Sequence, residues 1–352
     1  MSRLLLCRAG FEPECAQEIE WHAAQSGGHG HARTERDSGY VVFTGEAPTP
    51  AWGELVFARQ ALRLGTELRA LDPKDRLGPV LDWLRANDVR VCDAWVEAPD
   101  STAGGELATL CRGLEAALVG ALKKNKLIDP GSAQRLHLLL ASGTHAFVAL
   151  ADVATAAPWR GGIPRLKLPR EAPSRSALKI EEAWLVLLDE AERTKWLRAG
   201  LTAVDLGAAP GGWTWQLARK SIRVTAIDNG PLAPHVMETG VVTHVRADGF
   251  RWRPKKPVDW LVCDMVEKPA RVAELMSQWL VDGDARAALF NLKLPMKKRW
   301  QETRACLDGL SEALAGGGRR FELRAKQLYH DREEITVVAL PGGAGRRSRS
   351  AS

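Results

Sequence analysis

"VDLGAAPGGWTWQLARK", Val204 to Lys220, decides the fold of this chain. A short apolar run meets a turn of Gly, Ala and Pro, and an amphipathic segment of helical spacing follows. A strand that passes into a helix through a glycine turn is the corner at which open α/β folds hold nucleotides and nucleosides. The sequence around it repeats the pattern. "RVTAIDNG", "VVTHVRADG", "VDWLVCDM", "AALFNLKL", "FELRAKQL" and "EITVVAL" have strand composition, with helical segments between several of them. That alternation predicts a mostly parallel sheet covered by helices on both faces.

The residues of the turn discriminate between ligands. A P-loop needs Lys after its second glycine to reach the terminal phosphates, and Trp213 stands there. A dinucleotide turn needs a middle glycine so that the backbone can approach a pyrophosphate, and Ala209 occupies that place. S-adenosylmethionine has no phosphate and suits the turn Ala209-Pro210-Gly211-Gly212. It also needs an acid at the end of the second strand for the ribose hydroxyls. Asp228 ends "VTAID", Asp248 follows the next strand, and Asp264 closes "VCDM". Three acids after three strands fall along one sheet edge, where such folds bind ligands.

The N-terminal half reads as α+β. "RLLLC", "GYVVFTG", "VRVCDAWVEAP", "RLHLLLAS" and "HAFVALADV" suit strands, while "EPECAQEIEWHAAQ" and "GELATLCRGLEAALVGALKK" suit helices. It holds no nucleotide-type turn and no cluster of catalytic residue types, so a scaffold or binding module is expected. Residues 154–175 have linker composition, rich in Pro, Gly and Arg. The tail "GGAGRRSRSAS" is low in complexity and is expected to be disordered.

Of the 352 residues, 45% are hydrophobic and 26% charged, as in ordinary globular domains. The net charge of +6 is uneven: residues 1–159 carry −4 and the remainder +10, so the second half is expected to face a polyanion. Six scattered cysteines without a CxxC pair argue against a zinc site or disulfide framework, and no metal is expected. No apolar run reaches the roughly 20 residues of a membrane span. A cytoplasmic protein is expected from these features; a monomer is the expected state, although the sequence alone does not fix it.

"DLGAAPGGWTWQL" resembles the first motif of the FtsJ-type ribose 2′-O-methyltransferases. The whole chain resembles the large-subunit rRNA cytidine 2′-O-methyltransferase M (RlmM) family. The likeness is carried by "CRAGFEPEC", "LVFARQ", "GIPRLK", "APSRSALKIEEA", "DNGP", "CDMVEKPA", "QWL", "FNLKLPMKKR" and "LYHDREE". It departs from the familiar pattern at Ala209, where the family commonly has Cys.

The resemblance implies a Rossmann-like class I methyltransferase domain over residues 176–340. Before it would come a ferredoxin-like segment at 1–55, a THUMP-type RNA-binding domain at 56–153 and the 154–175 linker, with a basic tail at 341–352 after it. It implies S-adenosylmethionine as cofactor and a cytidine of 23S rRNA as target. It also carries over Ser176, Ala209, Pro210, Gly211, Gly212, Asp228, Asp248 and Asp264 as cofactor residues. A Lys-Asp-Lys-Glu tetrad maps onto Lys179, Asp264, Lys293 and Glu334. Lys293 is the expected general base, which must be neutral to act, its pKa lowered by Lys179 and partial desolvation. Strand alternation lets only one of Glu333 and Glu334 face the site. Ser176 is equally a helix-cap residue.

RNA contact is expected from "KLPMKKRW" (293–300), "RWRPKK" (251–256) and "RLKLPR" (165–170), with Trp252 and Trp300 as stacking candidates. The alternatives are an rRNA or tRNA base methyltransferase and a non-catalytic RNA-binding ribosome-assembly factor. Asp264-Met-Val-Glu267 fits an amino-group methyltransferase poorly, since those enzymes place an Asn/Asp-Pro-Pro-aromatic tetrapeptide there. Cys263 lies beside the site but on the opposite strand face from Asp264, which disfavours attack on a base carbon.

Overall fold

The computed structural model describes residues 2–46 and 50–342, and the expected tail lies outside them beyond Gly342. The chain forms two compact units divided after Pro164. Each holds a seven-stranded sheet.

In the first unit the elements are β1 (Ser2–Leu6), α1 (Glu12–Gln25), β2 (His29–Thr34), β3 (Tyr40–Glu46), β4 (Gln60–Leu68), α2 (Gly78–Ala86), β5 (Asp93–Glu97), α3 (Thr102–Glu106), α4 (Ala108–Lys124), β6 (Gln134–Ser142) and β7 (His145–Asp152). The sheet order is β2-β3-β1-β4-β7-β6-β5. The expected boundary at residue 55 therefore does not separate two sheets, because β1 pairs antiparallel with β4 across it. β2 escapes the pattern reading because "HGHART" is an exposed edge strand with no apolar face. The expected long helix is broken at Leu107 into α3 and α4.

Two of the quoted motifs meet in this unit. Glu18 of α1 is buried and its carboxylate accepts the backbone N–H groups of Val56, Phe57 and Ala58. A buried carboxylate is tolerable only with such partners.

The 154–175 stretch is not a free connector. Gln60 donates to the carbonyl of Ala157 at 3.3 Å and accepts from its N–H at 3.2 Å. Ser174 and Ser176, farther along, line a cavity of the second unit.

The second unit contains α5 (Ala177–Leu187), α6 (Glu190–Trp196), β8 (Thr202–Leu206), α7 (Gly212–Arg219), β9 (Arg223–Ile227), α8 (Pro234–Met237), β10 (Val242–Val245), β11 (Val258–Cys263), α9 (Pro269–Asp282), β12 (Ala285–Lys293), α10 (Arg299–Gly316), β13 (Phe321–Lys326) and β14 (Glu334–Pro341). The order β10-β9-β8-β11-β12-β14-β13 is parallel from β10 to β12 and antiparallel at β14 and β13. This is the expected Rossmann-like α/β fold. Its core gathers Trp184 and Ile180 of α5, Trp213 and Leu217 of α7, and Trp260, Val262 and Leu289 of the central strands. The chain order reverses direction between β8 and β11, which opens a crevice at their carboxyl ends.

Candidate active site

β8 ends at Leu206, and the turn that follows brings backbone rather than side chains to the crevice. Gly207 has φ +76° and Gly211 φ +112°, both in the left-handed region. The Ala209–Pro210 bond is cis. A Cβ at Gly212 would lie 2.2 Å from the Ser176 hydroxyl and 2.6 Å from that of Ser174, so only glycine fits. The turn, the two serines, Asp205, Trp213 and Asp264 line a cavity of about 270 Å³. Ser176 makes no helix-capping bond. Its hydroxyl pairs with that of Ser174 at 2.7 Å instead.

Asp228, at the end of β9, receives the N–H of Ala209 at 3.0 Å on one carboxylate oxygen and that of Gly230 at 2.7 Å on the other. The Asp248 carboxylate accepts from the Phe250 N–H at 2.9 Å, and neither it nor Asp228 is among the residues lining the cavity.

Four charged side chains meet at the carboxyl ends of β11 and β12. The Lys293 ammonium donates to Asp264 at 2.6 Å and to Glu334. The Lys179 ammonium, from α5, lies 3.3 Å from Asp264 and also pairs with Glu334. Lys293 stands opposite Glu334 in the β12–β14 register, so pairing of these two strands by itself brings ammonium and carboxylate together. Glu333 points the other way and pairs with Arg299 at 2.8 Å.

A lowered Lys293 pKa is not what this arrangement produces. Burial pulls the ammonium down, but Asp264 and Glu334 outweigh it and hold its pKa above the ordinary lysine value. The second cation, Lys179, shares the same two carboxylates without cancelling them.

Several supporting residues carried no sequence signal strong enough to single them out. Asn291, two residues before Lys293 and so on the same strand face, donates to Asp264 at 2.9 Å. Thr336 in turn donates to Asn291 at 2.7 Å. Asp331, fully buried, has its pKa raised well above the carboxylate range by burial and by Glu334. Glu182, one turn after Lys179, accepts the backbone N–H groups of Tyr329 and His330 at 2.7 and 3.0 Å, tying α5 to the segment that leads into β14. Asp205 is buried against Thr214, whose hydroxyl donates to it at 2.6 Å. Burial nevertheless pushes its pKa up to about 7.

Comparison with known proteins follows the same division of the chain. Models of the RlmM ferredoxin-like domain and of the N-terminal part of ribosomal RNA large subunit methyltransferase M match residues 1–62 and 75–152. The FtsJ-like methyltransferase model matches residues 172–297. Ribosomal RNA large subunit methyltransferase M of Stenotrophomonas maltophilia strain R551-3 is 55% identical over 96% of both chains. The same-named protein of Xanthomonas oryzae pv. oryzae strain PXO99A is 55% identical over 97% of this chain and all of its own. The chain belongs to the ribosomal RNA large subunit methyltransferase M family. Likeness to solved structures is looser: TrmN from Thermus thermophilus is 16% identical over 97% of this chain and 99% of its own, with a TM-score of 0.36.

Membership makes the chain an rRNA methyltransferase with S-adenosylmethionine as cofactor, and the cavity fits that group. The turn admits no side chain at Gly212, and the buried indole N–H of Trp213, which lines the cavity, has no hydrogen-bond partner within the protein. Among the described residues no cluster of His, Cys, Asp and Glu is arranged to hold a metal ion, and no helix is long and apolar enough to cross a membrane. All six cysteines are free thiols. Cys263 is fully buried, and burial pushes its thiol up to about 12, far from a nucleophilic thiolate. Trp300 is buried and belongs to the core, which removes it as a stacking platform.

Proposed function

We propose that the chain methylates the ribose 2′-hydroxyl of a cytidine in 23S rRNA, with Lys293 as general base in a Lys179-Asp264-Lys293-Glu334 tetrad. The observation that carries this reading is the interleaving of two ammonium and two carboxylate groups, one of which, Asp264, lines the glycine-turn cavity. S-adenosylmethionine, held by the 209–212 turn, Ser176, Asp228, Asp248 and Asp264, supplies the electrophilic methyl group.

A sugar hydroxyl is a weak nucleophile and must shed its proton as it attacks. Lys293 accepts that proton only when neutral. Asp264 and Glu334 each have a second cation to turn to in Lys179, so the site remains paired when Lys293 gives up its charge. Lys179 then stabilises the developing alkoxide. Asn291 and Glu182 position the tetrad by fixing Asp264 and the approach to β14. The N-terminal unit, with its THUMP-type portion at 56–153, would hold the RNA while a monomer works on it in the cytoplasm.

The deciding experiment incubates the protein with labelled S-adenosylmethionine and protein-free 23S rRNA, then maps the label. One alkali-resistant linkage 3′ to a cytidine is the expected result. Label on a nucleobase would refute the ribose assignment, and no transfer at all would refute the enzyme.

A further inference from the structure

The chain must return from the carboxyl end of β10 to the amino end of β11, passing β9 and β8, and it does so over residues 246–257 without a helix. A crossover between parallel strands usually lays a helix over the face it passes. Here a groove of about 640 Å³ lies over that face. Val204, Thr225 and Thr243, in register across β8, β9 and β10, line it. Thr202, Arg223, Lys255, Lys256 and Trp252 also line it, and no carboxylate contributes.

The three cations are exposed and form no ion pair among the described residues. Acids at this edge are already engaged. Asp259 accepts from Arg286 and from Thr202, and Asp284 faces Arg253 at 3.6 Å. Trp252 is held by stacking on Trp279, with ring centroids 6.1 Å apart. The groove opens where β8, β9, β10 and β11 begin, whereas Asp264 follows the end of β11. A five-residue strand such as β8 spans about 16 Å, so one nucleotide cannot reach both.

We propose that this groove is a second RNA site, holding the sugar-phosphate backbone of an rRNA segment other than the one that carries the target ribose. This rests on the reading of rRNA as the substrate. Three unpaired cations and threonine hydroxyls lining one groove suit phosphate oxygens. Lys255 and Lys256 of "RWRPKK" thus serve a different part of the RNA from "KLPMKKRW", which leaves β12 at the catalytic edge.

The test measures binding by fluorescence anisotropy over a salt series, using the full chain. One ligand is a large-subunit rRNA fragment with the target and its flanking helices. The other is a short single-stranded oligonucleotide spanning the target alone. For the triple variant R223A/K255A/K256A, affinity for the long RNA should fall roughly tenfold at about 0.1 M salt, and the log–log salt slope should shrink by about two to three. Binding of the short oligonucleotide should not change. The charge-preserving variant R223K/K255R/K256R should bind the long RNA as wild type does, which separates charge loss from misfolding.

Unchanged affinity and slope on the long RNA, or an equal loss on both ligands, would overturn the proposal. So would competition for the groove by an acidic peptide but not by RNA. Because the readout is binding, a wild-type protein that binds the long RNA but methylates a base defeats the ribose reading and leaves the groove's role standing.

Discussion

At the carboxyl edge of the C-terminal sheet, two lysines and two carboxylates are largely buried and fully paired with one another. At the amino edge of the same sheet, Arg223, Lys255 and Lys256 face solvent around a groove that no carboxylate lines. Charge density is high in both places, but its organisation differs. Paired, desolvated charges hold one geometry and resist change, which suits a group that must move a proton at a fixed atom. Unpaired, solvated cations hold no single geometry and attract any polyanion, with a strength that salt screens. On the proposed reading, catalysis and RNA holding take opposite edges of one sheet.

The contrast can be broken most directly at Lys293. Replacing it by Ala should lower the single-turnover methylation rate by about 10²–10⁴-fold while RNA affinity stays within a few-fold of wild type. A rate near wild type would show that the buried edge is merely structural. Because Asp264 and Glu334 raise the Lys293 pKa, the neutral fraction grows about tenfold per pH unit below it. The wild-type rate should therefore climb steadily through pH 7 to 9, and a flat profile would remove the proton from the rate-limiting step.

Gly212→Ala sharpens the comparison on the cofactor side. Its methyl group would collide with Ser174 and Ser176, so cofactor affinity measured by calorimetry should fall at least about tenfold, with RNA affinity unchanged.

Asp205 offers a stability test. Its folded-state pKa of about 7 lies above the ordinary carboxylate value, so the folded protein holds an extra proton between about pH 4 and 7 and loses stability as pH rises through that window. Asp205→Asn, which never ionises, should lose less stability than wild type between pH 5 and pH 8 in thermal melts. Equal losses would mean that Asp205 contributes no pH dependence.

The smallest effect is expected at Glu333. Its pair with Arg299 is half exposed on the glutamate side, so Glu333→Ala should change stability by no more than about 1 kcal/mol and leave turnover untouched. A large loss of activity would mean that the β14 register does not keep Glu333 out of the site.

The catalytic candidates were legible because their types and spacings are local. Asp228 and Asp264 follow strands and Lys293 ends one, but the tetrad rests on the family resemblance, and alternation says only that Glu333 and Glu334 face opposite sides. The fold puts Glu334 beside Lys293. The supports were not legible. Asn291, Thr336 and Glu182 become partners of the site only through strand pairing and helix packing that join positions tens of residues apart, or more than a hundred for Glu182 and Tyr329. Likewise β2 has no apolar alternation, so its place is set by pairing with β3 rather than by its own pattern. Trp300 looked like a surface residue inside a basic run, yet α10 turns it inward.

The sequence by itself determined the alternation of strand and helix, the glycine turn and the acids that follow the strands, because periodicity, backbone freedom and residue chemistry are properties of short segments; the lysines rested on the family resemblance. Only the tertiary structure decided that Lys293 is held charged and that Lys255 and Lys256 line a groove at the opposite edge of the sheet. Both depend on which distant groups the fold sets side by side, and electrostatic energy follows distance in space, not separation along the chain.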